Sequence, residues 1–289
     1  MNKLLIIGCG DIALRVAPLL QARYRLFGLV RRPERFAGLR AAGITPLPGN
    51  LDERASLARI AGLADAVLHF APPPNNSTAD IRTRHLLAAL SQGKLPARLI
   101  YISTSGVYGD CGGAWVNETR PLHPQTARAQ CRADAEQQIR NWAGRNQVNA
   151  AILRVPGIYA ADRLPLERLR ANTPAIAASE DSYTNHIHAD DLARIAAAAL
   201  RYGRPNRVYH ASDDSEMKMG EYFDAVADAH GLPRPQRLPR AEIERSVPPA
   251  LWSFMNESRR LTNQRMKREL RVRLRYPAVA DALASISSA

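Results

Sequence analysis

Two glycines and two arginines near the start of the chain carry its most specific chemical signal. Gly8-Cys9-Gly10-Asp11-Ile12-Ala13 follows an apolar run and opens a helical one, spelling G-x-G-x-x-A. In that pattern the first glycine makes a tight turn, the second lets bare backbone approach a diphosphate, and the small third residue lets helix and strand pack closely. Helix N–H groups and the helix dipole then favour the anion, with Gly8, Gly10, Asp11 and Ile12 as candidate contacts. About twenty residues on, an acidic side chain would bond the ribose hydroxyls of NAD. Here the chain reads Leu29-Val30-Arg31-Arg32-Pro33, with no acid before Glu34. Two guanidinium groups at that place suit a 2′-phosphate, by charge and by paired donors. Arg31 and Arg32 therefore point to NADP, with NAD as the alternative; the plainer reading is a solvated arginine pair at a helix start. Gly49-Asn50-Leu51-Asp52 comes next, where Asn50 or Asp52 either reaches an adenine, beside Leu51, or caps the following helix.

The elements that must hold these residues follow from the apolar pattern. Strands are expected at 3–7, 25–30, 44–47, 66–70, 98–103 and 150–155, and helices at 11–22, 33–42, 53–61, 80–92 and 126–144. Strands alternating with helices imply βαβ units, a parallel sheet and right-handed crossovers that put helices on both faces. The fold class is thus α/β, a doubly wound parallel sheet of the Rossmann type, with a smaller C-terminal substrate lobe. The cofactor domain is expected over 1–155, also receiving about 186–212, and the lobe over 156–185 and 213–289. Residues 156–189 read as irregular. Asp190 reads as the N-cap of a helix over 190–201, followed by a strand at 207–210, a helix at 219–230 and a basic helix over about 257–270.

Composition narrows the function classes. With 46% hydrophobic and 23% charged residues, a mainly disordered chain is excluded. Three cysteines are too few for a disulfide framework and fit a reducing compartment. No apolar run approaches the roughly 18 residues of a membrane span, and the N-terminal apolar stretch is too short for a signal segment, so a cytoplasmic protein without a membrane partner is expected. The formal charge of +13 is almost all arginine, since Lys3, Lys94, Lys218 and Lys267 are the only lysines. Aromatic residues make up just 6% and no zinc-finger or RNA-recognition signature occurs, so nucleic acid is not expected as a partner. Anionic small molecules are the better reason for placed arginines. No histidine, cysteine or carboxylate spacing suggests a metal site.

Five stretches in order resemble the short-chain dehydrogenase/reductase superfamily in its extended, epimerase/dehydratase-like branch. They are the glycine loop, His69-Phe70-Ala71-Pro72, Ile102-Ser103-Thr104-Ser105-Gly106-Val107-Tyr108-Gly109, Leu153-Arg154-Val155-Pro156-Gly157-Ile158-Tyr159, and Asn185-His186-Ile187-His188-Ala189-Asp190-Asp191-Leu192-Ala193. The resemblance spans most of the chain. It implies a nicotinamide cofactor contacted by Phe70, Ala71, Pro72, Val155, Pro156 and Ile158, and a reacting oxygen bonded by the hydroxyl of Thr104. It marks His186 and His188 as packing residues joining the two lobes.

The resemblance also implies a Tyr-x-x-x-Lys pair on one helical face, where the lysine lowers the tyrosine pKa and holds the nicotinamide ribose. The sequence departs here. Anchored on Asp134 and Glu136, the tyrosine position falls on Arg128 and the lysine position on Arg132. Arg132 could hold a ribose; Arg128 stays protonated and is neither acid nor base. A shift of one residue gives Ala127 and Cys131 instead. Tyr108, Tyr159, Tyr183 and His123 lie on neighbouring segments, and spacing singles out none of them. The branch usually has glycine where Ile7 stands, a second departure.

Two readings follow: an NADP-dependent oxidoreductase or epimerase/dehydratase-like enzyme acting on a small carbonyl or sugar-type substrate, with Thr104 and Arg132 in its catalytic site, or a non-catalytic NADP(H)-binding sensor. A homodimer through paired helices is implied by resemblance only. In the C-terminal part, Arg259 or Arg260 either contacts an anionic substrate or belongs to a solvated basic helix. Trp252 and Phe254 either close the cleft or belong to the core.

Overall fold

A computed structural model describes residues 1–74 and 77–287, with the side chains of Ala250, Ile286 and Ser287 left aside. Its centre is a sheet of seven parallel strands: β1 (Asn2–Ile7), β2 (Tyr24–Val30), β3 (Ile44–Pro48), β4 (Ala66–His69), β5 (Arg98–Thr104), β7 (Asn149–Val155) and β12 (Arg207–His210). Between these lie the short strands β6 (Trp115–Val116), β8 (Gly157–Tyr159), β9 (Ala175–Ile176), β10 (Tyr183–Thr184) and β11 (His186–His188). The strand order is β12-β7-β5-β4-β1-β2-β3, the doubly wound order that reverses direction between β1 and β4.

Side chains alternate across the sheet, as the period of two requires. Leu4, Ile6, Ile100, Ile102 and Leu153 face helix α1 (Asp11–Leu20) and the later helix over Ala189–Tyr202. Leu5, Ile7, Val67, Leu99 and Ile152 face the other way. There they meet α3 (Ile81–Leu90) through Leu86 and Leu90 and α4 (Ala127–Asn146) through Ala135, Ile139 and Trp142; the short α2 (Phe36–Ala41) precedes β3. Burial on both faces explains why these strands read as continuous apolar runs.

The rest of the chain forms α5 (Leu166–Arg170), α6 (Ala189–Tyr202), α7 (Met219–Ala229), α8 (Arg240–Ser246), α9 (Pro249–Met255), α10 (Gln264–Glu269) and α11 (Val279–Ser287). Tyr159, Leu169, Phe223, Val226 and Leu283 make one apolar cluster there, and Ile176, Ile243, Val247 and Met255 another. Met266, Leu270 and Val272 return to the core of the main sheet.

Several expected elements differ. The segment 53–61 is a 3-10 helix over Arg54–Ile60. The stretch 156–189 contains β8 to β11, because β8 and β11 pair with each other in parallel. The N-cap of α6 is His188, whose Nδ1 accepts from Asp190 N at 3.2 Å. Asp190 instead accepts from Arg15 Nη1 at 2.6 Å, and the buried Asp191 accepts from the backbone of Arg275 and Tyr276. The basic helix expected from 257 begins only at Gln264, because Arg260–Leu261 pairs in parallel with Trp115–Val116. Helix α11 was not anticipated.

Candidate functional site

Two cavities open near the carboxyl ends of the central strands. The first is built around the glycine loop and brings together Gly8, Gly10, Arg31, Arg32, Asn50, Leu51, Phe70, Ala71 and Pro72. Gly8 is glycine for internal reasons: its φ is +91°, and a Cβ there would lie 2.4 Å from Ala71 N. Gly10 has no such reason. Its φ is −90°, and a Cβ would meet no protein atom within 4 Å. The bare surface at Gly10 therefore faces open space at the start of α1, where N–H groups lack helical partners. Asp11 and Ile12 line neither cavity by side chain: Ile12 is in the core, and Asp11 accepts from Arg15 Nε at 2.8 Å and Arg163 Nη1 at 3.1 Å. Those two arginines neutralise a carboxylate that would otherwise repel an anion beside it. What Asp11 and Ile12 can offer is backbone N–H.

At the other end, Arg31 and Arg32 are exposed and have no ion-pair partner among the described residues. Arg35, which sequence reading missed, joins them: the 3-10 turn Pro33–Arg35 carries it back so that Nη2 donates to Cys9 O at 3.2 Å. Arg82 was missed as well. It donates to both oxygens of Asp52, at 2.7 and 2.9 Å, and to the carbonyls of Pro72 and Pro73, tying β4 to the turn after β3. The arginine beside it holds the Asp52 carboxyl below its ordinary range. The Asn50 side chain serves its own turn, accepting from Asp52 N and donating to Glu53. Cys9 is wedged against β2, and burial pushes its thiol up to about 12.

The second cavity, of about 390 Å³, starts at Thr104 and runs under α7 and α9. Thr104 ends β5, in register with Val155, and its Oγ1 accepts from Gly106 N at 3.2 Å. That bond uses a lone pair and leaves the hydroxyl proton to donate. Pro156 and Ile158 line this cavity, not the glycine cavity, while Val155 is packed in the core and lines neither. Arg128 lines it from the first turn of α4. Arg132, one turn on, is clamped: Nη1 donates to Ile102 O at 2.7 Å, Tyr101 Oη at 3.1 Å and Ala71 O at 3.4 Å. It thus bridges the ends of β4 and β5, touching a residue of the glycine cavity without lining it. Helix α4 holds neither tyrosine nor lysine.

Of the residues considered as substitutes for a tyrosine, Tyr183 lines the second cavity, whereas Tyr108, Tyr159 and His123 line neither. Tyr108 is locked in a buried chain. Arg154 Nη1 donates to its oxygen at 2.6 Å, its hydroxyl faces His210 Nε2 at 2.6 Å, and His210 Nδ1 faces Thr262 O at 2.8 Å. A carbonyl can only accept, so Nδ1 carries the histidine proton and Nε2 takes that of Tyr108. Burial pushes Tyr108 up to about 12 and His210 down to about 3. The same chain runs from Arg154 to Glu136 at 2.7 Å and on to Ser103 at 2.6 Å. His186 borders the second cavity stacked on Tyr222 at 4.1 Å, held neutral by burial, which lowers it to about 3.

A family model described as the NAD dependent epimerase/dehydratase family matches residues 13–212. The chain belongs to the NAD-dependent epimerase/dehydratase family. It is 22% identical to dTDP-D-glucose 4,6-dehydratase of Homo sapiens over 173 residues, 54% of this chain and 49% of that protein. The chain spans about half the length of the curated relatives it matches. Among solved structures it resembles a conserved protein of unknown function from Silicibacter pomeroyi DSS, at TM-score 0.80 and 28% identity over 100% of this chain and 99% of that one. It also resembles dTDP-glucose 4,6-dehydratase from Streptomyces venezuelae with NAD bound, at TM-score 0.79 and 20% identity over 99% and 96% of the two chains. A third likeness is to UDP-glucuronic acid 4-epimerase from Bacillus cereus in complex with NAD, at TM-score 0.77 and 16% identity over 99% and 96%. Among the described residues of this epimerase/dehydratase-family chain, no helix is long and apolar enough to cross a membrane, and no group of three histidine, cysteine or acidic side chains could hold a metal ion.

Proposed function

We propose that the chain binds NADP(H) in the glycine cavity and acts as an oxidoreductase or epimerase/dehydratase-like enzyme on a small carbonyl or sugar-type substrate in the cavity beyond Thr104. The observation that carries this is Gly10: a glycine with ordinary φ and vacant space where its side chain would be, at the mouth of a helix beside the strained Gly8 turn, suits the close approach of an anion. The residues fit such a group. The backbone of Gly8 to Ile12 receives a diphosphate, Phe70, Ala71 and Pro72 border the path to the reacting end, and Arg31 and Arg32, with Arg35, supply positive charge for a 2′-phosphate. Asn50 and Leu51 line the adenine end.

When bound, the nicotinamide supplies or accepts a hydride. Thr104 donates a hydrogen bond to the substrate oxygen while Gly106 N holds its own oxygen in place. Arg132, fixed on the ends of β4 and β5, brings positive charge beside Ala71, where the ribose is expected. Val155 contributes through backbone only, and Pro156 and Ile158 shape the wall facing the substrate. Arg128 moves no proton. The proton therefore comes from water, from the substrate itself or from Tyr183, which lines this cavity where Tyr108 and Tyr159 do not. The absence of tyrosine and lysine from α4 favours a second reading, a protein that binds NADP(H) without turnover.

A panel of carbonyl compounds and nucleotide sugars, followed by NADPH absorbance, separates the two. Turnover that Thr104→Ala abolishes supports the enzyme; tight NADPH binding with no turnover across the panel supports the sensor.

A further inference from the structure

The second cavity is lined by four guanidinium groups, of Arg128, Arg163, Arg168 and Arg259, and by a single carboxylate, Glu257. Two of the four are neutralised. Arg163 donates to Asp11 at 3.1 Å, and Arg259 donates to Glu257 at 2.7 Å and to Gly109 O at 2.6 Å. Arg128 and Arg168 have no carboxylate within ion-pair distance among the described residues. Arg128 lies over the ring of Phe254 at 4.3 Å, and Arg168 over that of Phe223 at 4.0 Å. Arg168 Nη2 also donates to Pro174 O at 3.1 Å and contacts Met255 Sδ at 3.5 Å. Phe254 and Met255 are consecutive in α9, so the two cations reach the same short helix, one from α4 and one from α5.

The acids that act on them through space are otherwise engaged. Asp181, which faces Arg168, accepts from the backbone of Ser182 and Gly220, and Glu257, which faces Arg128, is bonded to Arg259. Burial lowers both arginines, Arg168 to about 10. Arg128 is nonetheless exposed to solvent, so the unfavourable burial falls chiefly on the half-buried Arg168: a cation held among aromatic and aliphatic groups without a counter-charge is unfavourable, and an arriving anion relieves it. Arg128 stands in the turn that follows Thr126 and lines the cavity together with Thr104 and Gly106, and the next residue, Ala129, packs beside Gly106, so one of the two cations belongs to the reacting end.

We infer that Arg128 and Arg168 are the anion receptor of this cavity, and that the substrate is a small carbonyl compound bearing a carboxylate or phosphate group rather than a neutral sugar. The cavity size agrees, since about 390 Å³ is at the lower end of the roughly 300–1,000 Å³ of small-molecule sites. The inference rests on the reading of this cavity as the substrate site.

The test is calorimetric titration of NADP⁺-saturated protein, in which the β2 arginines are covered and a carbonyl cannot be reduced, with inorganic phosphate, glyoxylate, neutral glycolaldehyde and UDP-glucose. Saturable binding of phosphate or glyoxylate, none of glycolaldehyde at the same concentrations, and at least about tenfold weaker binding in Arg128→Met and in Arg168→Met are expected. Arg168→Lys, which keeps the charge, should recover part of the loss. The proposal is overturned if neither small anion binds, if both bind equally well in the two Met variants, or if only UDP-glucose depends on these arginines. If the native protein fails to bind NADP⁺, the dinucleotide reading falls by itself. The same titrations, run without cofactor on an Arg31→Ala/Arg32→Ala background, then decide the anion receptor separately.

Discussion

Replacing Gly10 with valine tests the cradle directly, because the structure predicts opposite consequences for the two glycines of the loop. At Gly10 a Cβ meets no protein atom within 4 Å and the backbone is in a region open to any residue. The fold should lose only the modest preference for glycine over an apolar residue at an N-cap, about 1 kcal/mol or less, or about 2 °C in Tm for a chain of this size. The ligand should lose far more. A diphosphate on two backbone N–H groups gains about 1.5–3 kcal/mol from each charge-assisted bond, so excluding it should weaken NADP(H) about 10²- to 10⁴-fold. At Gly8 the order reverses. Alanine must adopt a φ of +91° and would overlap Ala71 N at 2.4 Å; the conformational part alone costs about 1–2 kcal/mol, so Gly8→Ala should be clearly less stable before any ligand is added. Thermal denaturation with and without NADPH reads both effects. At a hundred times its Kd, NADPH should stabilise the native protein by about 2.7 kcal/mol, and Gly10→Val should show almost none of that shift at an unchanged baseline. Undiminished NADPH affinity in Gly10→Val would refute the reasoning.

Other outcomes follow from the same geometry. Arg31→Ala combined with Arg32→Ala should weaken NADPH far more than NADH, and Arg35→Ala should add to the difference; equal losses in a fluorescence titration would contradict a 2′-phosphate site. Glu136→Gln leaves the buried Arg154 guanidinium without its counter-charge and should cost about 3–5 kcal/mol in urea denaturation; a loss under 1 kcal/mol would mean that the chain from Ser103 to His210 carries little stability. His69, His186 and His210 are each lowered by burial to about 3. The unfolded chain takes up protons below about pH 6.5 while the folded one does not until about 3, so stability falls as pH drops through that window, by roughly 1 kcal/mol per histidine at pH 5.5. Asp213 opposes this: burial raises it to about 7, so its protonation favours the folded state as pH falls from 7 towards 4. Asp213→Asn should therefore stabilise the protein above pH 7 and steepen its acid loss; an unchanged pH profile would remove Asp213 from the account.

The sequence by itself determined the α/β class, the alternation of strand and helix and the glycine turn. These depend on local properties: apolar runs long enough for strands buried on both faces, and a G-x-G-x-x-A at the junction of strand and helix. It also put Thr104 at a strand end and arginines after β2, because residues at a strand's carboxyl end share one edge of a parallel sheet whatever follows them. Tertiary structure decided which side chains are free. Asp11 looked like an anion contact and is bonded to Arg15 and Arg163, the latter 152 residues away. Spacing did not separate Tyr108 from Tyr159, Tyr183 and His123, and packing holds it on Arg154 and His210. Val155 turned into the core, while its neighbours Pro156 and Ile158 line the second cavity. Arg35 and Arg168 had no spacing to mark them, since helices of three and five residues bring them into place, and Arg82, in the first turn of α3, is marked only by the Asp52 that reaches it. The basic helix expected from 257 gave way to a strand because pairing with Trp115–Val116 satisfies backbone groups that the local pattern could not foresee. An arginine's role depends on whether a carboxylate from elsewhere in the chain reaches it, and that is settled only when distant segments pack together.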